Sequence, residues 1–231
     1  MNDSVYTQLL DLACGAFLLA AVVVLWLRQL SSIIRVFALQ GAVLAALAAL
    51  LGVREGRWDL LAVAVGIGLL RAGALPHIVR RALAAGTPPP ATHYEEDNSE
   101  AREARPLVNV AASLIGAALL TLLAYAVARP LVELDPTPAT RALPVGLAVV
   151  LIGFFTLVTR RRALAQVVGF LLLDNGITAT AFLAASGVPL IVELGVSFDV
   201  LLAVLVLQIL TTRMRAAFGG TGIDDLRELR D

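Results

Sequence analysis

The sequence predicts an all-α, polytopic membrane protein of about seven transmembrane helices. Three observations carry this. Of the 231 residues, 59% are hydrophobic, far above the roughly half-apolar content of soluble domains. The charged residues, 16% of the chain, cluster between long apolar runs. Seven of those runs approach the roughly 20 apolar residues that a span needs. A soluble fold of this length has too little interior for so much apolar surface, whereas lipid covers it. The alternating pattern of a membrane β-barrel is absent, so helices are the expected spanning element.

The runs are residues 5–27, 33–53, 60–78, 108–127, 142–158, 163–185 and 196–211. The opening Met1-Asn2-Asp3-Ser4 lacks the basic start of a secretory signal, so the first run is expected to stay as an anchor. Basic residues alternate between the two sets of flanks. One set holds Arg28, Arg35, Arg80, Arg81, Arg102 and Arg105, then Arg160 to Arg162, Arg213, Arg215, Arg227 and Arg230. The other holds Arg54, Arg57, Arg129 and Arg141. The bias predicts an N-terminus outside and a C-terminus in the cytoplasm of a bacterial inner membrane.

Residues 84–107 form the one long polar insertion, with Pro88-Pro89-Pro90 and the acidic Glu95-Glu96-Asp97. They read as a cytoplasmic connector. The tail, residues 218–231, has helix-start chemistry around Thr221 to Leu229 that suits a membrane surface or a partner. An internal repeat organises the rest. Gln40-Gly41 leads to Gly52 and Asn175-Gly176 to Gly187, with a Gly-to-Gly spacing of eleven in both. Trp58-Asp59 follows the first copy and Phe198-Asp199 the second. The expected organisation is a three-helix unit over residues 1–83, the loop 84–107, a connecting helix 108–128, a second three-helix unit over 142–217, and the tail. Such copies share one orientation, a parallel repeat.

Net charge is zero, so no overall field favours nucleic acid. One cysteine and two histidines exclude an intrachain disulfide framework and a four-thiolate iron–sulfur cluster. No catalytic group, cofactor or metal is expected. Gly66-Ile67-Gly68 follows no strand and reads as a packing element.

Ionisable groups inside the bilayer cost several kcal/mol and concentrate at functional positions. Asp174 lies twelve residues after Arg162, about 18 Å along a helix and near the middle of a hydrocarbon core of roughly 30 Å. Arg71 lies twelve residues after Asp59, at a similar depth. An ion pair is expected, open to two readings: a salt bridge that fixes packing, or an acid tuned by a fixed positive charge. Glu193 and Asp199 lie nearer the outer interface, Glu193 as an exit group. Asp59 and Asp199 stand where an N-cap is wanted. Gln40 and Asn175 are polar amides at corresponding levels of the repeat. His77, after Pro76, has the ordinary titration range of a relay and equally suits an interface without a role. The candidate proton path is therefore Asp174, Glu193, Asp199, Arg71, Asn175, Gln40 and His77.

The segment Gly169-Phe170-Leu171-Leu172-Leu173-Asp174-Asn175-Gly176, then Pro189 to Gly195 and Asp199, resembles the C-terminal half of the hydrogenase-4 component E family. That family carries a Glu where Asp174 stands, followed by the same Asn-Gly, and a basic residue near Arg71 ahead of Leu75-Pro76. The tail Gly222-Ile223-Asp224-Asp225-Leu226 is also similar. The resemblance implies a non-catalytic membrane subunit in a group 4 nickel–iron hydrogenase or complex I-like assembly. Its partners would include antiporter-like subunits, and its relatives the small three-helix subunit of complex I. It further implies buried carboxylates on a proton or cation path, with Asp174 as the key acid and Arg71 as its tuning charge. A non-conducting scaffold and a stand-alone solute transporter are the competing functions.

Overall fold

A computed structural model describes residues 2–27, 29–85, 109–160 and 163–185. Every element among them is a helix. The elements are α1 (Asp3–Trp26), α2 (Leu30–Glu55), α3 (Trp58–Ile67), a π-helical segment π1 (Gly68–Ala74), α4 (Leu75–Ala85), α5 (Val110–Leu134), α6 (Pro138–Thr159) and α7 (Ala163–Ala185). The α3–π1–α4 run forms one continuous span, so the described residues contain six helices long and apolar enough to cross a membrane. They coincide with the first six expected runs. The seventh, residues 196–211, lies outside the described residues.

Local chemistry sets the helix ends. Gly56 closes α2 at φ 66°, a left-handed conformation that a side chain would strain. The Arg57 N–H then reaches back to the Gly52 carbonyl at 3.0 Å, a bond of the type that covers terminal helix carbonyls. Helix α3 starts one residue before the expected cap. Arg57 occupies the N-cap and Asp59 the first turn, where its charge complements the helix dipole and pairs with Arg57. Helix α6 opens earlier than its apolar run because Thr137 and Thr140 form a reciprocal capping box with Pro138 behind it.

The π segment has a covalent cause. Pro76 has no N–H to return to the carbonyl four residues back, and its ring crowds that turn. The turn widens, and the Leu75 N–H bonds to Leu70 O instead. The wide turn meets a glycine. A Cβ on Gly41 would lie 2.8 Å from the Arg71 carbonyl carbon and oxygen, so only glycine lets α2 lie against π1.

Helices α6 and α7 pack backbone to backbone. A Cβ on Gly176 would lie 2.5 Å from Val150 N, and one on Gly153 would collide with the Leu173 backbone. Small residues permit this approach where lipid supplies no hydrophobic drive between helices. Helix α5 is peripheral. It buries only Ser113, Ala117, Ala124 and Ala128 and exposes Leu119, Leu122 and Leu131. The main core joins α1, α2, α3 and π-adjacent Ile67 to α6 and α7 through Phe17, Leu47, Leu60, Ile152 and Phe182.

Two contacts tie the helix ends together. Arg54 pairs with Asp3 at 2.6 Å, so the end of α2 sits beside the start of α1. At the other end of α1, Arg160 is buried and Nη2 donates to Val24 O at 3.1 Å and to Leu25 O and Leu27 O at 3.4 Å. Terminal carbonyls of one helix are thus capped by a guanidinium from another.

Candidate functional site

A polar network crosses the middle of the helices. Asp174 is the central residue of α7, and Arg71 comes from the π segment of the third span. Arg71 Nη1 lies 2.8 Å from Asp174 Oδ2. The same Nη1 donates to Asn175 Oδ1 at 2.7 Å, and Nη2 donates to Thr178 Oγ1 at 2.8 Å. Asn175 Nδ2 donates to Gln40 Oε1 at 3.0 Å. Gln40 Nε2 donates to Phe17 O at 3.3 Å. The network therefore links α1, α2, π1 and α7.

Its bond directions are dictated from both ends. A guanidinium only donates, so Asn175 must present its oxygen to Arg71. Its amide nitrogen then faces Gln40 and donates. The Gln40 nitrogen is left for the Phe17 carbonyl, which only accepts. Burial makes the arrangement consequential. Arg71 is 1% exposed, Asp174 7%, and Asn175 and Gln40 are fully buried. In low dielectric, removing either ion leaves the other as an uncompensated charge, at a cost of about 3–5 kcal/mol.

The geometry brings together four of the seven sequence candidates, Asp174, Arg71, Asn175 and Gln40. His77 is exposed on α4 and is not a partner in the network. Glu193 and Asp199 lie outside the described residues. Two members carried no sequence argument: Thr178 and the Phe17 carbonyl. Thr178 stands one turn beyond Asp174, at the i+4 spacing that puts side chains on one helix face, and this was its available signal. A backbone carbonyl has none. Among the described residues, no three His, Cys, Asp or Glu side chains gather as a metal site.

Chemically, the site holds a carboxyl and a guanidinium side by side among directed hydrogen bonds. Among the described residues, the side chains that meet there include one titratable acid, Asp174, and no nucleophile hydrogen-bonded to a base.

Fold and site define a polytopic helical membrane protein with a buried ion pair at its centre. Over all 231 residues, and over the whole of the relative, the chain is 47% identical to the uncharacterized protein Rv0085 of Mycobacterium tuberculosis; it belongs to the same family. It is also 32% identical to hydrogenase-4 component E of Escherichia coli K12 and of Shigella flexneri over 114 residues. That match covers 49% of this chain and 53% of those proteins. No protein-family model matches the chain, and no solved structure does.

Proposed function

We propose that this chain is a membrane subunit of a hydrogenase-4-like, complex I-like redox complex, and that Asp174 exchanges a proton or cation on a path driven by electron transfer elsewhere. The observation that carries this reading is the Asp174–Arg71 pair at mid-span. An acid so placed, beside a fixed positive charge, changes its proton affinity with small changes in that charge's position. The half-chain similarity to hydrogenase-4 component E supports the type of complex. Antiporter-like membrane subunits are the proposed partners. The proposed location is a bacterial inner membrane, with the N-terminus outside and the C-terminus in the cytoplasm.

A parallel two-unit organisation belongs to the same proposal. Gln40 and Asn175, which correspond in the two sequence copies, hydrogen-bond to one another. Corresponding residues meet in this way when they flank a pseudo-two-fold axis along the membrane normal.

The decisive experiment is Asp174→Asn in the assembled complex in inverted membrane vesicles. Asn keeps an oxygen for Arg71 and loses the charge. Redox-driven ion translocation should drop at least about tenfold, by the scale of removing a proton-transfer group, while the complex still assembles. Translocation at the wild-type rate would sink the reading. A second reading, a scaffold that only packs, draws on the ion pair and two hydrogen bonds that tie Arg71 to α7. It predicts lost assembly in each single variant and recovery in the charge-swapped double variant.

A further inference from the structure

Among the described residues, Arg71 pairs with Asp174 and donates to two further groups on α7 that do not titrate. Arg71 Nη1 is shared between Asp174 and Asn175, while Nη2 is given to Thr178. These three partners stand on one face of α7, at positions 174, 175 and 178. Asn175 is itself held by Gln40, and Gln40 by the carbonyl of Phe17 on α1. The guanidinium therefore keeps two buried anchors whether Asp174 is charged or neutral.

The arm through Gln40 cannot serve as a path. A neutral amide passes a proton along only by becoming an imidic acid, and this arm ends on a backbone carbonyl with no proton to give. Its fixed direction is what a brace requires.

We infer that Thr178, together with the Asn175–Gln40–Phe17 arm, is a positioning device that holds Arg71 in place and limits how tightly it pairs with Asp174. This deepens the proposed function and rests on the reading of Asp174 as the exchanging acid. The brace prevents the planar fork of Arg71 from turning both of its ends onto the carboxylate, which would give the strong bidentate pair. An acid locked in that pair would keep its proton off. Other charges do not compete at this level among the described residues. Helix α2 presents Gln40 and no ionisable side chain between Arg35 and Arg54, and α6 none between Arg141 and Arg160. From π1 the facing charge is Arg71 itself.

The test titrates Asp174 directly in the purified full-length chain in lipid nanodiscs. Infrared difference spectra against pH follow the protonated carboxyl stretch, assigned to Asp174 by its loss in Asp174→Asn. In Thr178→Val the freed Nη2 turns to the carboxylate, the ionised form gains, and the titration midpoint moves to lower pH by about one unit, a tenfold change in proton affinity. Asn175→Leu moves it the same way, and decides the matter if the valine variant does not fold. Thr178→Ser restores the hydroxyl and the wild-type midpoint. An unmoved midpoint in both variants, a move to higher pH, or a serine variant shifted like the valine one overturns the inference. Because this titration needs no electron transfer, it separates the two ideas. Wild-type translocation in Asp174→Asn sinks the proposed function, and an unmoved midpoint sinks the brace.

Discussion

At the scale of single residues, two arginines inside one small bundle do different things because their acceptors differ. Arg71 meets a carboxylate, an amide and a hydroxyl, groups whose charge or orientation can change. Among the described residues, Arg160 meets the carbonyls that end α1, which cannot. Arg160 is therefore a mechanical residue, and its loss has a structural signature. In Arg160→Leu, the α1 carbonyls lose a charged donor and stay buried, at a cost of about 1–3 kcal/mol. Unfolding in mixed micelles should show that drop, whereas ion translocation by the folded fraction should be unchanged. Asp174→Asn should lower ion translocation by the folded fraction as well as stability, because it leaves Arg71 uncompensated. The sequence placed both arginines in terms of depth and flank, and it marked Arg160 only as one of a basic trio. Its use as a cap depends on where the end of α1 arrives, and no local pattern states that.

At the scale of elements, the protein uses glycine where two backbones must meet. Gly176 against Val150 and Gly153 against Leu173 bring α6 onto α7, and α7 is the helix that carries Asp174 and its neighbours. Gly176→Leu forces the helices apart by a side chain that has no room, an overpacking cost of about 1–3 kcal/mol or more. The expected result is a lower midpoint of denaturant unfolding, together with faster hydrogen exchange along α7. An equal change at Gly15, where a Cβ meets nothing within 4 Å, should leave both readouts near wild type. The third span shows a second elemental device. Pro76 opens the π turn, and the π turn carries Arg71 toward α7 while its carbonyl rests on Gly41. The sequence displayed Pro76, Gly41 and Arg71 as separate signals. Their connection is a matter of which helix lies across which, so it emerged only in three dimensions.

At the scale of the whole molecule, the ends of the helices sort into two layers. Asp3 and Arg54 share one, and Arg160 and the C-terminal carbonyls of α1 share the other. This alternation matches the two sets of basic flanks, and the charge bias then proposes which layer faces the cytoplasm. Single cysteines in a Cys14→Ser background test it. A cysteine at Ser99 should react with an impermeant maleimide only in inverted vesicles, and one at Asp135 only in intact cells with a permeable outer barrier. Labelling of both from the same side would overturn the proposed topology. The exposed apolar face of α5 and the narrow contact stripe behind it suit a helix at the edge of the bundle, in contact with lipid or a neighbouring subunit.

The helical type of the elements, and the places of the six spans among the described residues, were legible from the chain itself, because a bilayer forces about 20 apolar residues into one helix per crossing. That Asp174 and Arg71 stand at matching heights was legible for the same reason: a fixed rise per residue converts sequence position into height. Azimuth was not. Whether two residues at one height meet depends on helix rotation and crossing, which are set by glycine contacts and by the π turn at Pro76. The tertiary structure alone therefore decided that Asp174 faces Arg71 and that Thr178 and the Phe17 carbonyl join the network. It also decided that His77 is exposed on α4. Height is a property of one helix in a slab of fixed thickness, and contact is a property of several helices packed together.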